Sequence, residues 1–492
     1  MKIYNSLSRT KEEFKPIRAD EVGMYVCGPT VYDEPHIGHA RSAYIFDVIR
    51  RYFQYKKYKV TFIRNVTDVD DKIIDKARKG LAKGGGPAPS LEDACREVAE
   101  KYLGAYHMDM DALGISRPDK EPRATEYIKK MIVFIKGLID SGKAYESGGD
   151  VYFDIKKARG YGKLSNQNLN KMESGARISP GEKKKDALDF ALWKAAKEGE
   201  PSWSSEWGPG RPGWHIECSV MSSDILGDEF DIHGGGIDLI FPHHENEIAQ
   251  SEGAGKAFAR CWIHNGLLTI NNEKMAKSLG NYITIKDFIA RHKDADLLKL
   301  LFLSTHYRHP VDYTGEKIEE MKKVKERIDI FLRSVNEALE KFEGTYKTKP
   351  AIELQEYFIT SLEDINIQKE NFEKAMDDDF NAPQAMAEIF NIIHSGNLVK
   401  MSFNDCDNDR IRYVKLKRAR DIVSNLINIF GLFSHEQGKT LQPTEERLIN
   451  DRNHFRNIKD YTKADELRRI LLNDYGIILE DTKDGTKSRR KI

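Results

Sequence analysis

Residues 24–66 constrain the fold of this 492-residue chain more than any other segment. Met24-Tyr25-Val26-Cys27-Gly28-Pro29-Thr30-Val31 begins as an apolar strand and runs into Gly-Pro. Lys59 to Val66 reads as a second strand, and between the two Ile45, Ile49, Tyr52 and Phe53 recur at helical spacing. Strand, helix and strand at this separation predict a parallel, right-handed unit. Such units collect ligands at the carboxyl ends of their strands, where Cys27 falls. The turn into the helix has no Gly-x-Gly-x-x-Gly but carries Pro35-His36-Ile37-Gly38-His39. Free N–H groups and the dipole at a helix start attract phosphate. The two imidazoles add donors there, and Gly38 leaves room for a nucleotide.

The length exceeds what one core supports and predicts about two to four domains. Lys+Arg and Asp+Glu both number 78, so any nucleic-acid surface must be a local patch. No apolar run is long enough for a bilayer, and Met1-Lys2-Ile3-Tyr4-Asn5 starts no signal peptide, so a cytoplasmic protein without membrane contact is expected. The five cysteines (27, 95, 218, 261, 406) are odd in number and scattered, which suits a reducing compartment and no disulfide framework. Cys95, Cys261 and Cys406 read as packing residues.

Two further segments carry chemistry. Lys274-Met275-Ala276-Lys277-Ser278-Leu279-Gly280-Asn281 follows a strand candidate at 258–264 and reads as a mobile loop. Its lysines could close over a triphosphate, although alone it would equally be an exposed basic turn. In Phe241-Pro242-His243-His244-Glu245-Asn246-Glu247, Pro242 suits the first turn of a helix, and His243 and Glu247 would share one face. Such a pair can take part in a metal site, with Cys27 and Cys218 as candidate thiolates, or it can be a solvated helix start.

The two nucleotide motifs, in this order, resemble the HIGH and KMSKS signatures of class I aminoacyl-tRNA synthetases, with Ala276 replacing the usual first serine. The resemblance sharpens to the cysteinyl-tRNA synthetases through Tyr25 to Tyr32, Asn65-Val66-Thr67-Asp68-Val69-Asp70-Asp71-Lys72, Gly210 to Ser219, His233-Gly234-Gly235-Gly236, Phe241 to Glu247 and Met376-Asp377-Asp378-Asp379-Phe380-Asn381. It implies an α/β Rossmann-type parallel-sheet catalytic domain with a connective insertion, then an α-helical bundle and a small C-terminal domain. It also implies one zinc ion held by Cys27, Cys218, His243 and Glu247. ATP would be met by His36, Gly38, His39, Lys274 and Lys277, and cysteine by Thr67 and Trp214. A packed core tryptophan competes with that reading of Trp214, and His233 and His244 stay open between substrate neighbours and structural histidines. The implied reaction joins L-cysteine to tRNA(Cys) through cysteinyl-adenylate, with Mg2+ arriving on ATP and a monomer expected. A cysteine ligase acting on a glucosaminyl amine with the same core is the alternative.

Serine differs from cysteine by one atom, and steric selection between near-isosteres yields only ~1–3 kcal/mol. A metal that prefers sulfur to hydroxyl oxygen removes the need for an editing domain.

The expected layout is a first catalytic half at 1–115, the insertion at 116–200, a second half at 201–268, a KMSKS and stem-contact region at 269–315, a helical tRNA-binding bundle at 316–438 and a small anticodon-side domain at 439–492. Gly148-Gly149 and Lys183-Lys184-Lys185 fall in the insertion, and residues 83–90 form a surface loop. Ile318, Met321, Val324, Ile328, Phe331, Val335, Leu339 and Phe342 make one apolar helical stripe, and Asn381-Ala382-Pro383 looks like a helix start. Thr462 to Asp465 has capping-box spacing, Ile477-Ile478-Leu479 reads as a strand, and the basic tail (Lys483, Lys487, Arg489, Arg490, Lys491) is either a phosphate contact or a frayed end.

Overall fold

The computed structural model describes residues 1–82, 89–167, 183–346, 363–401, 409–433, 443–458, 460–473, 477–482 and 485–490. β1 (Lys2–Asn5) and β2 (Thr10–Glu13) pair as an antiparallel hairpin. β3 (Glu21–Val26) and β4 (Lys59–Arg64) follow, joined by α1 (Ile37–Tyr55), as the spacing over 24–66 predicts. Ile45, Ile49, Tyr52 and Phe53 are all buried. Removing one such aromatic from a core costs about 3–5 kcal/mol. α2 (Asp71–Leu81), α3 (Leu91–Ala112) and α4 (Ile128–Asp140) come next.

An antiparallel sheet then interrupts the parallel pattern. It consists of β5 (Ala144–Ser147), β6 (Asp150–Phe153), β7 (Phe190–Ala195) and β8 (Gly210–Pro212), in that order. Gly148 and Gly149 form its first turn, both with positive φ (63° and 89°), a conformation that favours glycine. Lys185 lies over the Tyr145 ring at 4.0 Å.

α5 (Trp214–Leu226) returns the chain to the main sheet at β9 (Glu229–Gly236), and α6 (Glu245–Gly253) leads to β10 (Phe258–Asn265). The four parallel strands lie in the order β10-β9-β3-β4. The chain winds outward in one direction from β3 to β4 and in the other from β9 to β10. The winding therefore reverses between β3 and β9, and their carboxyl ends open a crevice there. Cys27, whose N–H donates to Gly234 O at 3.1 Å, lies at its mouth.

β11 (Leu268–Ile270), β12 (Glu273–Lys274) and β13 (Val311–Tyr313) make a small sheet in the order β12-β11-β13. α7 (Ile285–His292) and α8 (Asp296–Leu303) lie between β12 and β13 in the chain. α9 (Gly315–Tyr346), α10 (Glu363–Asp377), α11 (Ala382–Met401) and α12 (Asp409–Ile429) follow. The stripe on α9 is buried at Ile318, Met321, Ile328, Phe331, Val335 and Leu339 and half-buried at Val324. Asn381 caps α11, its Oδ1 accepting from Gln384 N at 3.3 Å.

Contacts divide the chain into two compact units, Met1–Phe430 and Gly431–Ile492. Within the second, α13 (Pro443–Asn457) and α14 (Tyr461–Asn473) precede the hairpin of β14 (Ile477–Thr482) and β15 (Gly485–Arg490). Its core holds Ile449, Leu471, Ile477 and Leu479. The capping-box expectation at Thr462 is corrected here. The helix starts at Tyr461, two residues earlier, and Asp460 is the cap, accepting from Lys463 N at 3.3 Å.

Residues 83–88, Cys406, Lys483 and Lys491 lie outside the described residues, as do the side chains of Ser278, Phe342, Lys487, Arg489 and Arg490. Among the described residues no helix is long and apolar enough to cross a membrane.

Candidate metal centre and nucleotide cleft

Three segments far apart in sequence bring Cys27, Cys218, His243 and Glu247 together. Cys27 follows β3, Cys218 lies on α5, His243 precedes α6 and Glu247 lies in its first turn. Their donor atoms all lie within 4.8 Å of one another. The Pro242 expectation is corrected. Phe241 is extended (φ −136°, ψ 131°), the Phe241–Pro242 peptide is cis, and the regular helix begins only at Glu245. His243 thus sits on a kinked approach, yet its Nε2 still reaches Glu247 Oε1 at 3.0 Å.

The donor set fits a zinc ion. The Cys27 and Cys218 sulfurs are 3.7 Å apart, and Cys27 Sγ is 3.7 Å from Glu247 Oε1. Two sulfurs bound at 2.3 Å in a tetrahedron would be about 3.8 Å apart. Among these groups His243 holds a proton. Burial opposes its charge, but Glu247 and Cys218 outweigh burial and raise its pKa to about 10. Its Nδ1 then donates to His215 Nδ1 at 3.0 Å, and burial keeps His215 neutral to accept. Glu247 falls to about 2 although burial opposes this, because His233 and His243 flank it. Of the two thiols Cys218 is the acidic one. Burial resists its ionisation, but Cys27 and His243 lower it to about 6, while burial and Cys218 push Cys27 up.

A second layer surrounds these groups, and sequence reasoning left most of it unassigned. His233 Nε2 lies 2.7 Å from Glu247 Oε2. His244 bridges Cys27 Sγ (3.2 Å) and His264 Nε2 (2.8 Å), and His264 reaches Ser6 Oγ at 2.8 Å. Cys27, His233, His244 and Glu247 form an overlapping set of possible ligands. Asn65 Oδ1 accepts from Gly28 N at 2.8 Å. A Cβ on Gly28 would lie 1.6 Å from Asn65 O, so only glycine fits beside Cys27. Buried Glu245 accepts from Gly162 N and Ser165 N and ties that segment to the start of α6. The Glu-Asn-Glu spacing contained this signal, but two adjacent glutamates give no hint which one binds backbone.

Thr67 and Trp214 flank the cluster differently. Thr67 is buried and donates to Glu217 Oε2 at 2.6 Å, and burial raises the Glu217 pKa. Trp214 is 38% exposed and stacks on His243 with ring centroids 4.1 Å apart. It is exposed rather than packed into the core. Cys95 and Cys261 are buried packing thiols, and burial pushes both pKa values up.

His36 is the N-cap of α1. Its Nδ1 accepts from Gly38 N (3.1 Å) and His39 N (3.3 Å), and His39 Nδ1 accepts from His36 N at 3.2 Å. Both Nδ1 atoms are acceptors, so each neutral ring carries its proton on Nε2. Burial lowers the two pKa values to about 3 and about 4. The pair therefore offers two fixed N–H donors, with the rings stacked at 3.7 Å. A Cβ on Gly38 would come within 2.9 Å of the His36 ring, so the glycine makes room for the imidazole as well.

The lysine loop lies against this turn. Ile37 N donates to Ile283 O and Ile285 N to Pro35 O, both at 3.1 Å. Lys277 pairs with Asp33 and lies 4.7 Å from the Tyr282 ring centroid. Lys274 is exposed at the end of β12, and Ala276 N donates to Asn281 Oδ1 at 2.8 Å.

Comparison with known proteins agrees with this architecture. The family described as "tRNA synthetases class I (C) catalytic domain" matches residues 13–323, and a "DALR domain" matches 371–434. A "Cysteine--tRNA ligase" of Thermodesulfovibrio yellowstonii is 47% identical, and one of Carboxydothermus hydrogenoformans is 45% identical, with both chains covered completely in each case. Among solved structures, methionyl-tRNA synthetase of Mycobacterium tuberculosis in complex with methionyl-adenylate superposes with a TM-score of 0.63 at 15% identity, covering 83% of this chain and 90% of the other. A putative arginyl-tRNA synthetase from Campylobacter jejuni gives 0.58 at 13%, covering 85% and 94%; at such identities these likenesses show the fold alone. The chain belongs to the cysteine-tRNA ligases, within the class I tRNA synthetases.

Proposed function

We infer that this chain joins L-cysteine to tRNA(Cys) in an ATP-dependent reaction through cysteinyl-adenylate. The observation that carries this reading is the convergence of Cys27, Cys218, His243 and Glu247 at the strand-end crevice, with sulfur spacing suited to zinc. Zinc, when bound, supplies a soft Lewis acid that takes a thiolate sulfur in preference to a hydroxyl. His233 orients the Glu247 carboxylate, and Trp214 and Thr67 border the space for the amino acid.

In the first step the cysteine carboxylate attacks the α-phosphate of Mg-ATP and pyrophosphate leaves. His36 and His39 direct Nε2–H donors at phosphate oxygens. Lys274 and Lys277 neutralise charge that grows in the transition state. Lys277 must exchange Asp33 for phosphate to do so. No covalent nucleophile is needed, because positioning and charge neutralisation carry phosphate chemistry of this kind. A hydroxyl of the tRNA terminal adenosine, the 2′ in most class I enzymes, then attacks the cysteinyl carbonyl and AMP leaves.

Within this reading, residues 1–115 and 201–268 form the catalytic halves and the 116–200 insertion steadies the acceptor stem. The 269–315 region contacts the stem, and 316–438 and 439–492 reach along the tRNA. The setting is a cytoplasmic monomer. The glucosaminyl alternative gains no support, since relatives named for tRNA ligation cover the whole chain.

Cysteine-dependent exchange of pyrophosphate into ATP, charging of a tRNA(Cys) transcript and metal analysis together test the reading. Zinc near one per chain with both activities is the expected result. Zinc-loaded protein inert in both assays would end it.

A further inference from the structure

The helix that begins with His36 and His39 also carries Arg41, which is completely buried. Its guanidinium donates to the carbonyl oxygens of Leu267 and His309, and to Tyr307 O at 3.4 Å. Burial lowers its pKa to about 10, and among the described residues no carboxylate pairs with it. A cation in such a place is a costly way to fill volume, because an apolar side chain would fill it without desolvating a charge. What an apolar side chain cannot do is bond three carbonyls at once, and the planar fork can.

Those carbonyls lie at the base of the sheet that bears Lys274. Leu267 leads into β11, which pairs with β12 at Thr269 and Lys274. Tyr307 and His309 lead into β13, which pairs with β11 at Val311 and Leu268. The far end of the loop is fastened separately, through the Pro35–Ile285 and Ile37–Ile283 bonds. Tyr307 and Arg308 are held in turn by Asp379, from the turn after α10.

We propose that Arg41 is a positioning residue. It fixes the entry end of the Lys274–Lys277 loop to the helix carrying His36 and His39, so that imidazoles and lysines meet one phosphate chain at a set separation. This rests on the ATP reading of those four residues given above.

Arg41→Met and Arg41→Lys in the full chain test it. The readouts are kcat and the KM values for ATP and cysteine in pyrophosphate exchange, zinc content, and tryptic cleavage after Lys274 or Lys277 relative to cleavage elsewhere. Arg41→Met is expected to worsen kcat/KM for ATP by about tenfold or more, as misplacing positioned groups does. The KM for cysteine should stay within about twofold, since its contacts are untouched. Zinc content is unchanged and the loop is cut preferentially, because one anchor of a local opening unit is gone. Arg41→Lys, retaining the charge but not the fork, recovers part of the loss. Parallel changes for ATP and cysteine, no change in either, or failure of both variants to fold would overturn the proposal. If the unmodified chain exchanges no pyrophosphate, the ATP reading fails, while the tryptic ratio still judges the clamp.

Discussion

Cys218, His243 and Glu247 are buried, with Cys27 half-buried among them, and a second layer of histidines locks them, whereas Lys274 and Lys277 stand exposed on a small sheet and the turn that follows it. The sulfur cluster draws on β3, α5 and α6 at once, so moving one member disturbs the rest. The lysine loop runs from β12 to the bonds that tie Ile283 and Ile285 to the start of α1. The contrast matches the chemistry proposed for each. Telling thiol from hydroxyl needs a fixed, dry donor set, while releasing pyrophosphate needs charges that can approach and withdraw.

The largest effect should come from the rigid side. Cys218→Ser replaces a soft ligand by a poor one, and metal analysis should find at least about tenfold weaker zinc retention, with cysteine-over-serine selectivity collapsing. Equal zinc content and equal selectivity would break the comparison, because the cluster would then be packing only. Lys277→Ala probes the exposed side. It should slow pyrophosphate exchange by about 10²–10³-fold, as loss of one transition-state donor does, while leaving zinc content intact. Zinc loss in this variant would show the two regions to be one unit.

A smaller, divided effect is expected at His36, which serves both stability and binding. His36→Ala should cost about 1 kcal/mol as a lost cap, whereas His36→Asn keeps a capping oxygen and loses only the aimed Nε2–H. Thermal melts read the first difference and exchange kinetics the second. The pH dependence gives a separate check. His36 and His39 have folded pKa values of about 3 and about 4, below the usual 6.5. Their contribution is intact above pH 6.5, and it is lost as pH falls towards 3 because the unfolded chain binds those protons first. His36→Asn should flatten that part of the stability curve, and an unchanged acid slope would contradict the buried, neutral assignment. The smallest effect belongs to Ala276→Ser. Residue 276 acts through its N–H to Asn281, so exchange rates should change by less than about threefold.

Much of this site was legible before any coordinates. The β3-α1-β4 unit and the α9 stripe announce themselves through local periodicity, and short-range rules govern them, whereas the His36–His39 turn and the lysine loop became legible as a pair through the family resemblance. The four proposed metal ligands came from the family resemblance, and the structure brings those same four residues together. Other features escaped. Pro242 suggested an ordinary helix start, but the chain kinks at Phe241 and the regular helix begins only at Glu245. Thr462 had the spacing of a cap, yet it lies inside α14, whose cap is Asp460, two residues before it. The roles of His233, His244, Glu245 and Arg41 depend on atoms about 14 to 268 positions away, which no window of sequence spans.

By itself, the sequence determined which residue types were present for the chemistry and which elements would carry them, since propensity and hydrophobic period act over one or two turns. Only the tertiary structure decided which sulfurs, imidazoles and carboxylates meet, and which nitrogen of each ring holds its proton. The sheet order and the burial it imposes set those meetings, and hydrogen-bond partners and pKa values follow from what is brought close rather than from what is near in the chain.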